Sequence, residues 1–318
     1  MAKKDLSKKS LELGKCRNRQ YWREWFVLKG LTLSGLFAIV IVAFILGFLI
    51  KMGMPAILEI GLSDFLLGKR WMPSSPEPGY GALPQMLGTI VVAVGALIIA
   101  LPWGVSTALY LSEIANSKVR NVVKPMLEVL ASIPSVVFGF IALVVVAPAV
   151  ANIFGLSNGL TALTGAIMLG VMTLPTITSV SEDALKAVPS DYRDAALALG
   201  ADEWETMTKV TLPAAKSGII ASVMLGFGRA VGETMTVLMA TGNAIRMPLK
   251  EHFGIILPDY LSSVRTLTAT IAIEGSDVPW GSLHYHSLFV LGALLFIMTF
   301  IINLIADMVL NKGIEGGN

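Results

Sequence analysis

The sequence predicts an all-α membrane protein with about six transmembrane helices. Three observations carry that prediction. Hydrophobic residues make up 54% of the 318 residues and charged residues only 14%, which is low for a soluble domain. The apolar residues gather in runs long enough for a ~20-residue crossing of the hydrocarbon core. The charges gather between the runs, with lysine and arginine concentrated on alternate connections, as the positive-inside rule requires.

Residues 1–29 are basic, with Lys3, Lys4, Lys8, Lys9, Lys15, Arg17, Arg19, Arg23 and Lys29 against Asp5, Glu12 and Glu24. Positive charge holds this end in the cytoplasm. Trp22, Trp25 and Phe26 suit a segment lying in the membrane surface. A nucleic-acid-binding arm is the rival reading, disfavoured because an apolar run follows at once. That run, residues 28–50, is expected to be the first span. It is too long for a signal peptide and lacks a small-residue cleavage site, so it reads as a retained anchor.

Residues 51–82 hold Trp71-Met72-Pro73 and Pro76-Glu77-Pro78-Gly79-Tyr80-Gly81, a proline and glycine density that predicts a turn-rich, non-helical stretch. The next spans are expected at 83–111, 125–146 and 160–180. Each contains an interior proline: Pro102, Pro134 and Pro175. In lipid such breaks are tolerated where a cavity or a neighbouring helix satisfies the freed backbone, and plain packing kinks are the alternative. Residues 112–124 carry Lys118, Arg120 and Lys124 and are placed inside; residues 149–159 carry no charge and are placed outside. The fifth and sixth spans are expected at 214–240 and 288–310. Between them, residues 241–287 form an outer region whose middle, Arg265 to Ile273, is apolar but too short to cross; a re-entrant or surface helix fits. The organisation is thus a basic segment 1–29, a transmembrane domain 30–310 and a tail 311–318, with both ends inside.

The connection 182–213 is the longest polar interruption in the second half of the chain. Pro189-Ser190 predicts a stop and an N-cap. Asp191 and Asp194 lie in the first turn, favoured by the helix dipole. Tyr192, Ala195, Ala196 and Leu199 fall at helical spacing on one face, and Gly200 is placed to end the helix in a left-handed conformation. Asp202 with Glu205 three residues on predicts a second capped helix. Leu212-Pro213 opens the next element. The module is either a structured loop joining two spans or a docking element with a small apolar face.

Asp194-Ala195-Ala196, Gly200 and Leu212-Pro213 resemble the EAA loop of ATP-binding-cassette importer permeases, with Asp for the usual Glu. The resemblance implies a type I importer permease fold, and it makes the first helix of the loop the coupling helix. Tyr192, Asp194, Ala195, Ala196 and Gly200 would then face the ATPase subunit. Residues 131–140 (ASIPSVVFGF) and 226–235 (GFGRAVGETM) resemble the permease subunits of the high-affinity phosphate importer. Trp71-Met72-Pro73 followed by Tyr80-Gly81-Ala82-Leu83-Pro84 is similar to the PstC type, with Tyr80 where Phe is usual. The resemblance covers roughly residues 65–310. It implies a heterodimer with a PstA-like second permease, two copies of a PstB-like ATPase that binds the ATP, and a phosphate-binding protein outside, all at the cell inner membrane. No cofactor and no nucleic acid is implied for this chain.

The residue inventory agrees with a transport subunit. Gly61 to Lys69 has the wrong spacing for a P-loop. Cys16 is the single cysteine, and the histidines are His252, His284 and His286, with no nucleophile–base or metal-ligand spacing. His284-Tyr285-His286 reads as an interfacial aromatic cluster. In the fifth span, Arg229 and Glu233 are ionisable residues at membrane depth, which each cost about 2.5–3.5 kcal/mol on insertion scales. Four apart on a helix, they are able to pair, either as a structural ion pair or as a phosphate relay. Gly228 and Gly232 form a GxxxG that lets another helix approach. Thr234 and Thr236 are further hydroxyls there. Other readings stay open at this point: a permease for another oxyanion or small solute, a membrane sensor or scaffold subunit, and a channel.

Overall fold

Helix follows helix along the chain, interrupted by two small hairpins. The computed structural model describes the backbone of residues 2–252 and 255–315 and the side chains of residues 24–251 and 257–308. In order come α1 (Ala2–Ile60), α2 (Leu62–Leu67), the hairpin β1 (Trp71–Met72) and β2 (Gly79–Tyr80), and α3 (Leu83–Leu109). A π-helical turn, Tyr110–Ile114, ends α3. Then come α4 (Ser117–Ser132), α5 (Ser135–Ile141), a π turn at Ala142–Val146, α6 (Ala147–Phe154) and α7 (Ala162–Lys186). The connecting module holds α8 (Ser190–Ala198), α9 (Glu203–Thr206), a third π turn at Met207–Thr211 and α10 (Leu212–Ala214). The chain closes with α11 (Lys216–Gly232), α12 (Met235–Ala240), the antiparallel pair β3 (Leu249–His252) and β4 (Ile255–Pro258), α13 (Leu267–Glu274) and α14 (Leu283–Glu315).

Five helical stretches are long and apolar enough to cross a membrane: Glu24–Ile60, Leu83–Ile114, Ser135–Phe154, Ala162–Lys186 and Leu283–Met308. Glu203–Ala214 and Lys216–Gly232, bent by 66° at Ala215, supply a sixth if taken as one span. The chain divides into two units, Met1–Lys51 and Met52–Asn318. In the first, Trp25 and Phe26 meet edge to face at 5.2 Å, and the Lys29 ammonium lies 5.9 Å from the Trp25 ring. Trp22 and the basic residues through Arg23 lie outside the described side chains, as do residues 311–318.

Three expectations shift. Residues 51–67 are helical, so only the stretch around β1 and β2 is the expected non-helical segment. The expected span 125–146 is divided: Ile133 is extended (φ −63°, ψ 128°) and Pro134 starts a new helix, because the proline ring disfavours helical backbone before it. The crossing helix is Ser135–Phe154, and α4 is a separate amphipathic helix with no buried residue in this chain. Pro102 and Pro175, by contrast, lie within continuous helices. The span expected at 214–240 ends at Gly232: Glu233 is extended (φ −69°, ψ 135°), and α12 begins two residues later.

Small residues set the packing. α3 and α7 run side by side in the same direction, with Gly95 against Ala166 and Gly104 against Ile177. α11 crosses α7 antiparallel, with Gly218 against Ala184 and Gly226 against Ile177. The larger core joins these helices to α5 and α12 through Val92, Phe138, Leu169, Met172, Val231 and Val237. A second core gathers Phe65, Trp71, Leu267 and Leu291 around the first hairpin. Between the two, Gly88 admits the chain before α13: a Cβ there would lie 2.5 Å from the Arg265 carbonyl oxygen. A backbone atom cannot swing aside as a side-chain tip can. Gly88→Ala is therefore expected to destabilise by about 1–3 kcal/mol, the usual range for overpacking, read as a lowered Tm of the detergent-solubilised protein.

Candidate substrate path and coupling surface

Arg229 and Glu233 do not pair. The helix that would have set them one turn apart ends at Gly232, and the extended backbone at Glu233 carries its side chain elsewhere. Arg229 Nη1 donates to Thr176 Oγ1 on α7 at 2.9 Å. Among the described residues no carboxylate lies within ion-pair distance of the guanidinium. The Glu233 carboxylate accepts from the Thr236 backbone N–H at 3.2 Å, and the Glu233 carbonyl accepts from Thr268 Oγ1 at 2.7 Å. A break in the fifth span thus sits against α13, the short helix of the 241–287 region. Thr236 Oγ1 is committed to the Ser135 carbonyl at 3.1 Å. Arg229, Glu233 and Thr234 are half-buried, so the charged groups remain within reach of a polar solute.

Gly228 and Gly232 are not the glycines that bring helices together within this chain; Gly218 and Gly226 are. Among the described residues, a Cβ at Gly228 would meet only Asn303 Oδ1, at 3.6 Å, and one at Gly232 would meet nothing within 4 Å. Next to this break, Thr176 and Pro175 border a cavity of about 260 Å³ that reaches Ser179, Glu182, Lys124 and Glu128. Glu182 is fully buried and paired with Lys186 and, at 3.5 Å, with Lys124.

At the far end of α7, α8 stands out from the bundle. Ser190 is its first helical residue and makes no capping bond; Pro189 takes the cap position instead. The other end is as the sequence foretells. Gly200 has φ +91°, its N–H donates to the Leu197 carbonyl, and the Ala201 N–H donates to the Ala196 carbonyl, the double bond of a Schellman motif. Asp202 Oδ1 accepts from the Glu205 N–H and caps α9. The expected single face divides in two. Tyr192 and Leu199 are exposed, Leu199 at 89%, and Ala195 lies with them; Ala196 is buried at 8% against its own chain. Asp194 is exposed.

Two arginines hold this end together: Arg120, which the sequence marked only as an inside charge, and Arg193, which it did not mark at all. Arg120 donates to the Leu111 and Ser112 carbonyls at the end of α3. Arg193, on α8, forms a two-pronged pair with Glu113 in the first π turn and also reaches the end of α7. A helix C-terminus carries free carbonyls and partial negative charge, so a cation placed there satisfies both. Arg193 lay directly beside the motif, but its partner is 80 residues away, and spacing does not reveal such a contact.

Residues 100–312 match the family described as binding-protein-dependent transport system inner membrane component. The chain belongs to that family. This permease is 36% identical over 251 residues to the probable ABC transporter permease protein YqgH of Bacillus subtilis, with 78% of each chain covered. It is 34% identical over 268 residues to the phosphate transport system permease protein PstC of Mesorhizobium japonicum, again with 78% of each covered. Its fold resembles that of a chain in the inward-facing MetNI methionine ABC transporter, with a TM-score of 0.53 and 22% identity over 73% of this chain and 94% of that one. The permease therefore has the type I importer architecture and is an inner-membrane transport subunit. ATP hydrolysis in such systems resides on a partner ATPase, and a substrate-binding protein delivers the solute.

Proposed function

We propose that the permease carries inorganic phosphate, paired with a PstA-like second permease and driven by two copies of a PstB-like ATPase, with a phosphate-binding protein on the outer side. The observation that carries this reading is Arg229: a half-buried guanidinium on a candidate span, held by one hydroxyl and neutralised by no carboxylate among the described residues. A free planar fork of donors suits a phosphate oxygen pair. The PstC relatives supply the substrate class. Glu233, at the helix break, accepts a hydrogen bond from the P–OH of HPO4 dianion and repels an ion that has no proton to donate, such as sulfate. Gly228 and Gly232, not tightly packed against another helix among the described residues, form the face for the second permease. Tyr192, Asp194, Ala195 and Gly200 form or shape the surface that enters the ATPase, with Ala196 seating the helix from behind.

Uptake of labelled phosphate by the complex reconstituted in proteoliposomes tests the substrate. Accumulation of a different oxyanion or solute in its place selects that permease instead, and ATP hydrolysis without any uptake selects a sensor or scaffold subunit.

The orientation places α8 and both termini in the cytoplasm and the 241–287 region outside. In a Cys16→Ser background, Ser276→Cys is expected to react with a membrane-impermeant thiol reagent in intact cells. Ser190→Cys is expected to react only after permeabilisation. Both positions are exposed, so burial does not confuse the result. Labelling of Ser190→Cys from outside rejects the orientation.

A further inference from the structure

The guanidinium of Arg193 ties three elements together. Its Nε donates to Glu113 Oε2 at 3.0 Å and its Nη2 to Glu113 Oε1 at 2.8 Å. Nη2 also donates to the Leu185 carbonyl at 3.0 Å, and Nη1 to the Val188 carbonyl at 2.9 Å. Glu113 belongs to the π turn that ends α3; Leu185 and Val188 belong to the end of α7 and the link beyond it. Arg193 itself is on α8. The pair is mostly buried, with side chains 24% and 13% exposed.

Two local features are arranged for this contact. The π turn closes with the Ala115 N–H on the Tyr110 carbonyl. One extra residue in a turn rotates the downstream residues by roughly 100°, since an α-helix turns once in 3.6 residues. That rotation helps bring Glu113 round to α8, where Ser112 Oγ also donates to Glu113 Oε1 at 2.9 Å. α7 stops at Lys186, so the Val188 carbonyl lies past its bond pattern, and the Leu185 carbonyl, which accepts the Val188 N–H at 3.3 Å, keeps room for a second donor. Arg193 thus divides its fork between one carboxylate and two carbonyls in a half-buried site.

Without Arg193, α8 is joined to the bundle by Ala187–Pro189 on one side and by the left-handed turn at Gly200 on the other. A push on α8 would reach α7 and α11 through the chain, but α3 only through packing. With Arg193, the end of α3 is bonded to α8 directly.

We propose that Arg193 is a positioning residue that locks α8 to the ends of α3 and α7, so that movement of the docking helix carries both spans as one body. The inference rests on the reading that α8 docks on the ATPase. Its test uses the whole complex and takes as its first readout a distance that does not need the substrate to be known. In the Cys16→Ser background, nitroxide labels at Tyr110→Cys and Ala198→Cys, both exposed, report the α3–α8 distance by pulsed electron paramagnetic resonance.

With Arg193 present, one narrow distance distribution is expected, the same in the nucleotide-free and vanadate-trapped states. With Arg193→Gln the distribution is expected to broaden and to shift on trapping. Glu113→Gln is expected to do the same, and the double variant to be no worse than either single one, because both remove one contact. Arg193→Lys keeps the charge but not the fork and is expected to behave as Arg193→Gln. In the assembled complexes, phosphate transported per ATP is expected to fall about tenfold, within the usual range for a lost coupling contact.

An unchanged distribution and transport ratio in Arg193→Gln overturns the proposal, as does full restoration by Arg193→Lys. Lower assembly with normal coupling in the complexes that do form also overturns it, since that is what a merely structural bond would give. Cross-linking from Ala195→Cys to the ATPase separates the two levels. A cross-link with normal coupling in Arg193→Gln rejects the lock and leaves the docking surface standing. No cross-link rejects the docking surface and the lock with it.

Discussion

Arg229→Gln is expected to lower phosphate uptake by about a hundredfold or more while the complex still assembles. The magnitude follows from losing charge-assisted hydrogen bonds, worth about 1.5–3 kcal/mol each, where a dianion passes through a low-dielectric region. Folding should survive, because among the described residues the guanidinium makes one hydrogen bond, to Thr176, which Gln can also donate to. Glu233→Gln keeps an acceptor for the Thr236 N–H, so it changes the charge at the helix break and leaves the local bond intact. It is expected to slow transport and to admit sulfate, because release requires that binding stay weak enough to leave. The exchanged pair, Arg229→Glu with Glu233→Arg, is expected not to restore uptake: the two groups face different partners, so their roles are not interchangeable. Full recovery by the exchange would mean that they act as a mutual ion pair, and uptake in Arg229→Gln equal to the parent's would remove Arg229 from the path.

Gly200→Val is expected to leave the protein in the membrane but to separate ATP hydrolysis from transport, with uptake down at least about tenfold. The φ of +91° at Gly200 is closed to a β-branched residue, and even the left-handed helical conformation costs an ordinary L-residue roughly 1–2 kcal/mol. The Schellman turn would open and α8 would lose its aim. Ala195→Trp and Ala196→Trp separate docking from packing. Ala195 is exposed, so its tryptophan should block entry into the ATPase, with normal membrane assembly and no stimulated hydrolysis. Ala196 is buried, so its tryptophan should overpack the module and reduce the amount of folded permease. Normal uptake in Ala195→Trp would mean that this face is not docked.

The transmembrane class, the polar module at 182–213 and the Gly200 turn are settled by local chemistry. Apolar runs of crossing length need lipid, Gly alone enters the left-handed region without strain, and Asp202 caps the helix directly after it. These signals lie within a few residues of one another, so a sequence displays them. Where helices stop inside the membrane was less legible. Pro102, Pro134 and Pro175 look alike in sequence, yet only Pro134 starts a new helix. Glu233 continues an ordinary helical pattern and is extended nonetheless, with its carbonyl bonded to Thr268 and its carboxylate to the Thr236 N–H. Contacts from distant segments outweigh a local preference of less than about 1 kcal/mol per residue. The face of α8 was half legible, because Ala195 and Ala196 are chemically identical and only the packing of the rest of the chain decides which one turns inward. The sequence by itself determined a multi-span membrane protein with a helix–glycine–helix connection, through apolar run lengths and turn chemistry. The tertiary structure decided that Arg229 stands apart from Glu233 and that Arg193 meets Glu113, because both depend on contacts between residues that the chain order keeps far apart.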